Sequence, residues 1–146
     1  MDTVSSIIAV KGSDVHSVGP EASVYEAIER MVRHNVGCVL VREGSRILGI
    51  FTERDHLRRV TLEDHDAKRT RVREVMTSRL ASVAPDRSVE ECMAIMTEMR
   101  IRHLPVMDGD RLVGLISIGD LVKHVSKERA VEIRHLTDYI TGRPTQ

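Results

Sequence analysis

The sequence predicts an α+β fold in which two tandem β-α-β-β-α repeats pack sheet to sheet with pseudo-twofold symmetry. The stretch Gly49–Asp55 (GIFTERD) returns 65 residues later as Gly114–Asp120 (GLISIGD). Segments 17–60 and 82–125 align without a gap and share 13 identical residues over 44 positions. Caps, turns and apolar runs recur at the same offset. This internal duplication favours two units that pack on each other, because neither unit buries its apolar face alone.

The first repeat opens with a short strand and a capped helix. Residues 3–10 form a helix or lead-in that Gly12 closes, and a brief strand covers Val15–Val18. Ser23 and Glu26 have the spacing of a capping box, which begins the next helix. Apolar residues at helical spacing predict the buried stripe of this helix, namely Val24, Ala27, Ile28, Met31 and Val32.

A hairpin and a second helix complete the first repeat. The apolar run 37–41 predicts a buried strand, and Glu43-Gly44 turns it into a partner strand at 46–51. Thr52 then begins a helix that runs to about Val60.

The second repeat shows the same elements in the same order. Ser82-Val83-Ala84-Pro85 repeats the strand end Ser17-Val18-Gly19-Pro20 and precedes a helix capped by Ser88. Strands at 103–106 and 111–116 form the hairpin before a helix from Ser117. The stripe of the capped helix consists of Val89, Cys92, Met93, Met96 and Met99. The three methionines suit the core better than a dimer interface.

The chain divides into four segments. They are a lead-in with the first repeat at 1–62, a linker at 63–76, the second repeat at 77–127, and a C-terminal helix and tail at 128–146. The charged stretch Thr61–Ser78 is typical of a loop. The tail is helical over Lys127–Tyr139 and ends near Gly142-Arg143-Pro144.

The repeated motif places a hydroxyl and a carboxylate at the start of a helix. Thr52 precedes Asp55 by three positions, and Ser117 precedes Asp120 in the same way. The hydroxyl and the first-turn amides can meet an anion there, and the carboxylate can accept hydrogen bonds from a diol. Each pair also resembles a capping box that merely begins a helix. The symmetric repetition of these polar residues is typical of ligand clamps.

Composition excludes several classes of protein. The 146 residues hold 22 basic and 22 acidic side chains, so the net charge does not favour binding to nucleic acid or to an anionic membrane. Aromatic residues make up 2%, too few for a stacking platform. No apolar run reaches the roughly 20 residues of a spanning helix, and the N-terminus lacks a signal peptide's charged start. Cys38 and Cys92 are expected as buried thiols of a reducing, cytoplasmic location.

The repeat resembles a CBS domain, and the pair resembles a Bateman module of the stand-alone bacterial type. The resemblance covers residues 7–126, and Gly49–Asp55, 102–106 and Gly114–Asp120 carry it. We expect no attached catalytic domain. The resemblance therefore implies a regulatory sensor of adenine nucleotides rather than an enzyme.

The resemblance also implies two ligand sites. In the family, the motif aspartate holds both ribose hydroxyls, the hydroxyl residue and its basic neighbour hold phosphate, and the other repeat supplies the adenine cradle. The first site then comprises Ile50, Thr52, Arg54, Asp55, Leu80, Ala81, Arg102, His103 and Pro105. The second comprises Lys11, Asp14, Val15, His16, Val36, Gly37, Cys38, Ser117 and Asp120.

These two sites are expected to differ in affinity. Arg54, Arg102 and His103 suit a phosphate at the first site. The second site has Ile118-Gly119 in place of Glu53-Arg54, so that Lys11 is its partial substitute for a cation. Loss of a charge-assisted contact, about 1.5–3 kcal/mol, weakens binding roughly ten- to hundredfold. AMP is the first choice of ligand and NAD the second, while ATP and S-adenosylmethionine share the same adenosine.

Other functions remain as alternatives. Seven histidines show no metal-binding spacing, so we predict no metal. The basic stretch 68–73 is a solvated linker rather than a nucleic-acid contact, and an ion-pair role between subunits stays open. One alternative is a small nucleotide-acting enzyme, but the sequence shows no Ser/Cys–His nucleophile pattern. Another is a scaffold protein with vestigial sites, against which the intact motifs in both repeats argue. The expected assembly is a disk-like homodimer formed through helices, read by an unknown effector protein.

Overall fold

The two repeats occur as predicted, each with a capped helix and a β-hairpin. The computed structural model describes residues 2–141. Its elements in chain order are α1 (Val4–Lys11), β1 (Ser17–Val18), α2 (Val24–His34), β2 (Cys38–Glu43), β3 (Arg46–Thr52), α3 (Glu53–Asp55), α4 (Val72–Val75), α5 (Val89–Met99), β4 (His103–Asp108), β5 (Arg111–Ser117) and α6 (Ile118–Thr141). A π-helical segment, His56–Thr61, continues α3 directly, so this helix ends close to the predicted Val60.

Each repeat contributes one small sheet. In the first, β1 runs parallel to β2, and β2 is antiparallel to β3. In the second, β4 and β5 form an antiparallel pair. The strand expected to end at Ser82-Val83, by repetition of Ser17-Val18, is reduced to an isolated parallel bridge from Val83 to Val106. The strand predicted at Val15–Val18 is likewise reduced to its last two residues.

The duplication extends to single backbone conformations. Bulges interrupt the hairpins at Val41/Arg42 and at Val106/Met107, which are 65 residues apart. The capped helices both end in a left-handed residue, Asn35 in α2 and Arg100 in α5. Because these irregularities recur at the same offset, one backbone plan underlies both repeats.

The helix that precedes each repeat packs on the other repeat. Val4 and Ile7 of α1 belong to the core of β4, β5 and α5. Val72 and Val75 of α4 belong to the core of β2, β3 and α2. The prediction of a loop-like Thr61–Ser78 is therefore wrong at α4, where two buried valines stabilise a helical turn among charged neighbours.

The glycine that opens each motif leaves space for the segment that leads into the other repeat. A Cβ at Gly49 would lie 2.7 Å from the carbonyl oxygen of Thr77 and 2.7 Å from the sulfur of Met76. A Cβ at Gly114 would lie 2.6 Å from Cδ1 of Ile8 in α1. The repeated glycine is thus required by packing against the segment that leads into each repeat.

The two sheets face each other across an apolar layer. Cys38, Leu40 and Ile50 of the first sheet form its buried centre. Leu112 and Leu115 of β5 pack against them. This layer confirms the predicted sheet-to-sheet packing and holds the two motifs on a common body.

Two residues predicted in the buried stripes are exposed. Val32 is 74% exposed, because the buried face of α2 follows Val24, Ala27 and Met31 and Val32 is turned away from it. Met99 is 53% exposed, since the last turn of α5 reaches a cleft between the repeats.

The second repeat's last helix and the predicted tail helix are one element, α6. No proline interrupts Ile118–Thr141, so the helix continues beyond the body of the repeat. The predicted end at Gly142-Arg143-Pro144 lies outside the described residues. Among residues 2–141, no helix combines the length and apolarity needed to cross a membrane.

Candidate functional site

A cleft of about 580 Å³ lies between the two repeats at the first motif. Its lining combines Gly49–Asp55 residues with the segment before the second repeat and the turn between α5 and β4. Eight of the nine residues predicted for the first site line it, namely Ile50, Thr52, Arg54, Asp55, Leu80, Ala81, Arg102 and His103. Pro105 does not line it, because it is buried in β4, where its carbonyl accepts a hydrogen bond from the Val83 amide.

Asp55 is a buried lining residue of this cleft, and most acceptor positions of its carboxylate already receive hydrogen bonds. Its residue is 7% exposed. One oxygen, Oδ2, accepts from the amide of Thr52 at 3.0 Å and from its hydroxyl at 3.1 Å. The other, Oδ1, accepts from the hydroxyl of Thr77 at 2.9 Å. Three donors leave roughly one of about four acceptor positions of the carboxylate for a ligand.

Six arginines surround the cleft, against the carboxylates of Glu53 and Asp55. They are Arg54, Arg58, Arg59, Arg79, Arg100 and Arg102. Arg54 donates to the carbonyl of Arg100 at 3.1 Å, and Arg59 donates to the carbonyl of Met76 at 2.7 Å. The side chains of Arg58, Arg79 and Arg102 are exposed and make no hydrogen bond or ion pair to any described residue. Their guanidinium donors can therefore meet an anion.

Sequence reasoning missed a second set of lining residues. Thr77, Leu57, Met99, Ile101 and four further arginines, Arg58, Arg59, Arg79 and Arg100, line the cleft. Arg79 directly precedes the predicted Leu80, so extension of that segment would have found it. Arg58 and Arg59 carried no such signal, because their position depends on the π-helical turn of His56–Thr61.

The second motif has a different arrangement. Lys11, the last residue of α1, donates to Oδ2 of Asp120 at 2.6 Å and to the carbonyl of Leu115 at 2.6 Å. The Ser117 amide also donates to Oδ2 of Asp120 at 2.8 Å. The structure thus brings together Lys11, Ser117 and Asp120, as predicted for one site, but joins two of them in an ion pair.

The remaining residues assigned to the second site have different surroundings. Val15 and Cys38 pack in the layer between the sheets, and Val36 packs against the first repeat's core. His16 stacks on His34 with 3.9 Å between ring centroids. Asp14 is exposed, and Gly37 lines the cleft at the first motif.

Electrostatics around Lys11 and Asp120 follow from burial and the ion pair. Burial acts to raise the pKa of Asp120, but hydrogen bonds from Lys11 and Ser117 outweigh it and lower the pKa below its usual range. Burial, together with Lys11 and Arg102, lowers the pKa of His103, while Asp120 opposes this shift. Burial raises the pKa of Cys38 to about 12, so its thiol stays protonated at neutral pH.

One cluster outside the cleft has metal-ligand chemistry. The ligating atoms of Asp2, His124 and Glu128 all lie within 4.8 Å of one another. His124 Nε2 lies 2.8 Å from Asp2 Oδ2 and 3.5 Å from Glu128 Oε1, so these three residues already form an ion-pair cluster when His124 is protonated. The prediction of no metal stays a prediction.

Known proteins share this sequence and fold. The CBS domain family model matches residues 4–60 and 72–127. A mitochondrial CBS domain-containing protein of Arabidopsis thaliana, CBSX3, is 36% identical over 96% of this chain and 72% of its own length. The CBS domain-containing protein YhcV of Bacillus subtilis (strain 168) is 37% identical over 87% of this chain and 91% of its own.

Solved structures extend the likeness to three dimensions. A protein with CBS domains from Burkholderia ambifaria MC40-6 is 48% identical, with a TM-score of 0.82 over 85% of this chain and 93% of its own. The CBS domain pair of the protein MJ0100 was solved in complex with 5′-methylthioadenosine and S-adenosylmethionine. It shares the fold at 20% identity and a TM-score of 0.77, over 88% of this chain and 98% of its own. With both repeats matched in order and the fold in common, this chain belongs to the CBS-domain family as a pair of CBS domains.

Proposed function

We propose that this CBS pair is a regulatory module, not an enzyme, that binds a phosphorylated adenosine ligand in the cleft at Asp55. CBS pairs are in general regulatory ligand-binding modules. The observation that carries the proposal is the joining of the Thr52/Asp55 pair and six arginines in one cleft of about 580 Å³, a volume typical of small-molecule sites.

Asp55 would accept a ribose hydroxyl. With three donors already on its carboxylate, the second ribose hydroxyl must replace the Thr77 hydroxyl. Thr77 is fixed to β3 through reciprocal backbone bonds with Ile50 at 2.8 and 2.9 Å, so only its side chain needs to rotate. Rotation of the Thr77 side chain would couple ligand binding to the segment that leads from the first repeat into the second.

The apolar part of the cleft would hold adenine. Ile50 belongs to the layer between the sheets and Leu80 packs against it, while Ala81 and Ile101 pack against the second repeat's core. A base held there touches both repeats at once. Ligand binding would therefore brace one repeat against the other, and a partner could detect the change in population.

The arginines favour a ligand with more than one phosphate. A single AMP phosphate cannot neutralise six guanidinium groups, whereas ADP, ATP or the pyrophosphate of NAD offers more oxygens to the unpaired Arg58, Arg79 and Arg102. S-adenosylmethionine carries a positive sulfonium, so the same charges disfavour it. The complex of MJ0100 shows that this fold accepts adenosine ligands in that protein, while the choice of phosphorylated ligand rests on the cleft itself.

Calorimetric titration of nucleotide-free protein tests the proposal. We expect saturable binding of ADP, weaker binding of AMP, and heats of dilution for S-adenosylmethionine. Asp55→Asn should weaken both nucleotides at least about tenfold, and Arg79→Ala should weaken ADP more than AMP. Arg69→Ala is the matched control, because Arg69 is 89% exposed, outside the cleft, and should change neither.

Two outcomes would contradict the proposal. Absence of binding by wild-type protein for every adenine nucleotide would remove the ligand, and equal affinities in wild type and Asp55→Asn would remove the site. Hydrolysis or transfer of the bound nucleotide would contradict the regulatory, non-enzymatic assignment.

We further propose a homodimer in the cytoplasm. The apolar side chains of Ile133, Leu136 and Ile140 are 64, 62 and 74% exposed and share one face of α6 at helical spacing. Light scattering after gel filtration should give twice the 16.4 kDa chain mass, and Leu136→Lys should shift it toward the monomer. A dimer that Leu136→Lys leaves intact would place the interface elsewhere.

A further inference from the structure

Three side chains with metal-ligand chemistry meet beside α6, outside the cleft at Asp55. His124 and Glu128 lie one turn apart on α6, so they share one face of the helix. Asp2 joins them from 122 residues away in the sequence. The ligating atoms, one imidazole nitrogen and two carboxylate oxygens, all lie within 4.8 Å of one another. We call these three residues the Asp2 cluster.

The backbone holds both parts of the Asp2 cluster in place. The carbonyl of Asp2 accepts a hydrogen bond from the Val89 amide at 3.2 Å, and Thr3 bridges to Ser88. On α6, Leu121 lies one turn before His124 and is fully buried in the second repeat's core. Two segments that are fixed to the same core therefore carry the ligating atoms, which is the arrangement that a metal site requires.

The distances within the cluster suit one metal ion. Nε2 of His124 lies 2.8 Å from Oδ2 of Asp2 and 3.5 Å from Oε1 of Glu128. Two ligand atoms at about 2.0–2.1 Å from a tetrahedral ion lie about 3.3 Å apart. Both carboxylates converge on the same nitrogen, so a neutral His124 with its proton on Nδ1 directs the Nε2 lone pair between them. An ion there requires only small side-chain movements.

The charge around the cluster favours a cation. Two carboxylates at this separation repel each other unless a positive group lies between them. Hydrogen bonding to Asp2 and the nearby charge of Glu90 both raise the pKa of Glu128, in keeping with an excess of negative charge. The side chains of His124, Asp2 and Glu128 are 23, 44 and 51% exposed, so an ion has access from solvent.

We propose that Asp2, His124 and Glu128 bind one divalent transition-metal ion, best matched by Zn²⁺, which holds the segment before α1 against α6. Mixed imidazole and carboxylate donors suit Zn²⁺, whereas Mg²⁺ and Ca²⁺ prefer oxygen ligands alone. Water would complete the tetrahedron. The inference is independent of the nucleotide site. It reverses the expectation of no metal, because the spacing of the histidines could not reveal a ligand so distant in sequence.

Zinc titration of chelator-treated, nucleotide-free protein tests the site. We expect calorimetry to give about one Zn²⁺ per chain. Zn²⁺ should raise the melting temperature, and Mg²⁺ should not. Asp2→Asn, His124→Gln and Glu128→Gln each remove one ligand with little change of shape. Each should weaken Zn²⁺ binding by more than the roughly 10–100-fold that loss of a merely supporting group costs.

His65 supplies the matched control. Its Nε2 lies 3.9 Å from a single carboxylate, that of Glu63, so His65→Gln removes a histidine and an ion pair but no ligand of the Asp2 cluster. This variant should bind Zn²⁺ with unchanged affinity and stoichiometry. Co²⁺ in place of Zn²⁺ adds a spectroscopic readout, because a tetrahedral Co²⁺ site absorbs strongly in the visible range and an ion pair does not.

Three outcomes would overturn the inference. They are the absence of saturable Zn²⁺ binding by wild type, equal Zn²⁺ affinity in wild type and the three cluster variants, and cluster variants that melt lower without metal while Zn²⁺ stabilises none of the proteins. The last result would leave the cluster as an ion pair alone. None of them bears on nucleotide binding, and Asp55→Asn should bind Zn²⁺ as wild type does.

Discussion

The two motif aspartates have the same backbone setting and opposite surroundings. Asp55 is buried, accepts hydrogen bonds from neutral groups, and faces a cleft lined by six arginines. Asp120 is paired with Lys11. At the repeat offset of 65 residues, none of the six arginines has an arginine as its equivalent. The equivalent residues are Gly119, Lys123, His124, Asp14, Asn35 and Gly37.

This difference shows how a duplicated fold can divide its functions. The capping geometry that begins a helix is kept in both repeats, because each repeat needs that helix. The neighbouring cations are free to differ, and they differ: one repeat has a cleft lined by six arginines, which suits the anionic ligand that we propose, and the other has an internal ion pair. The predictions below test the division, in order of decreasing effect.

Replacement of the motif glycines should affect the two halves unequally. In Gly49→Ala, the new Cβ would meet the carbonyl oxygen of Thr77, and backbone cannot move as freely as a side chain. We expect a loss of about 1–3 kcal/mol in the free energy of unfolding, measured by urea denaturation, and weaker nucleotide binding because Thr77 is displaced. Gly114→Ala meets the end of the Ile8 side chain, which can rotate, so its loss should be smaller. Equal losses would show that the crossing segments are equally adaptable.

Exchange of the left-handed cap residues should separate stability from binding. Arg100 has φ 56° at the end of α5 and lines the cleft, while Asn35 has φ 52° at the end of α2. Asparagine adopts this conformation more readily than arginine, so Arg100→Asn should raise the free energy of unfolding by about 0.5–1 kcal/mol and weaken ADP binding. The reverse change, Asn35→Arg, should destabilise by a similar amount without an effect on ADP. If Arg100→Asn binds ADP as wild type does, Arg100 is only a helix end.

The smallest effect should appear in the titration of His103, which lines the cleft and lies within the electrostatic influence of Lys11 and Asp120. Because burial lowers its pKa in the folded chain below the ordinary 6.5, the unfolded chain binds the proton more readily. Stability therefore decreases as the pH falls through about 6.5, and the decrease ends below the folded pKa. By NMR, the pKa of His103 should rise in Lys11→Met, which removes a nearby cation, and rise when ADP brings an anion. If the pKa of His103 is unchanged in both cases, neither the Lys11 charge nor the bound nucleotide acts on it, and the prediction is wrong.

The periodicity of the sequence accounted for most of the fold. Ser23 and Ser88 begin their helices as predicted, accepting a hydrogen bond from the amide three residues later at 3.1 Å in each case. The hairpins turn at Gly44 and Gly109 with positive φ. These elements depend on local chemistry, so residues close in sequence were sufficient to predict them.

The site was only partly predictable, because its residues come from distant segments. Thr77 reaches Asp55 only after the crossing chain pairs with β3. Eight of the first-site residues were found through a family resemblance and line one cleft, whereas Arg58 and Arg59 depend on a π-helical turn that no residue pattern announced.

By itself, the sequence determined the duplication, the capped helices, the hairpins and the two motif aspartates, since each is written in spacing and local hydrogen-bonding groups. Tertiary structure alone decided that α1 and α4 cross to the opposite repeats, that Lys11 pairs directly with Asp120, and that Thr77 reaches Asp55. Long-range packing of apolar side chains fixes those crossings. The same packing places an ammonium on one aspartate and a hydroxyl on the other.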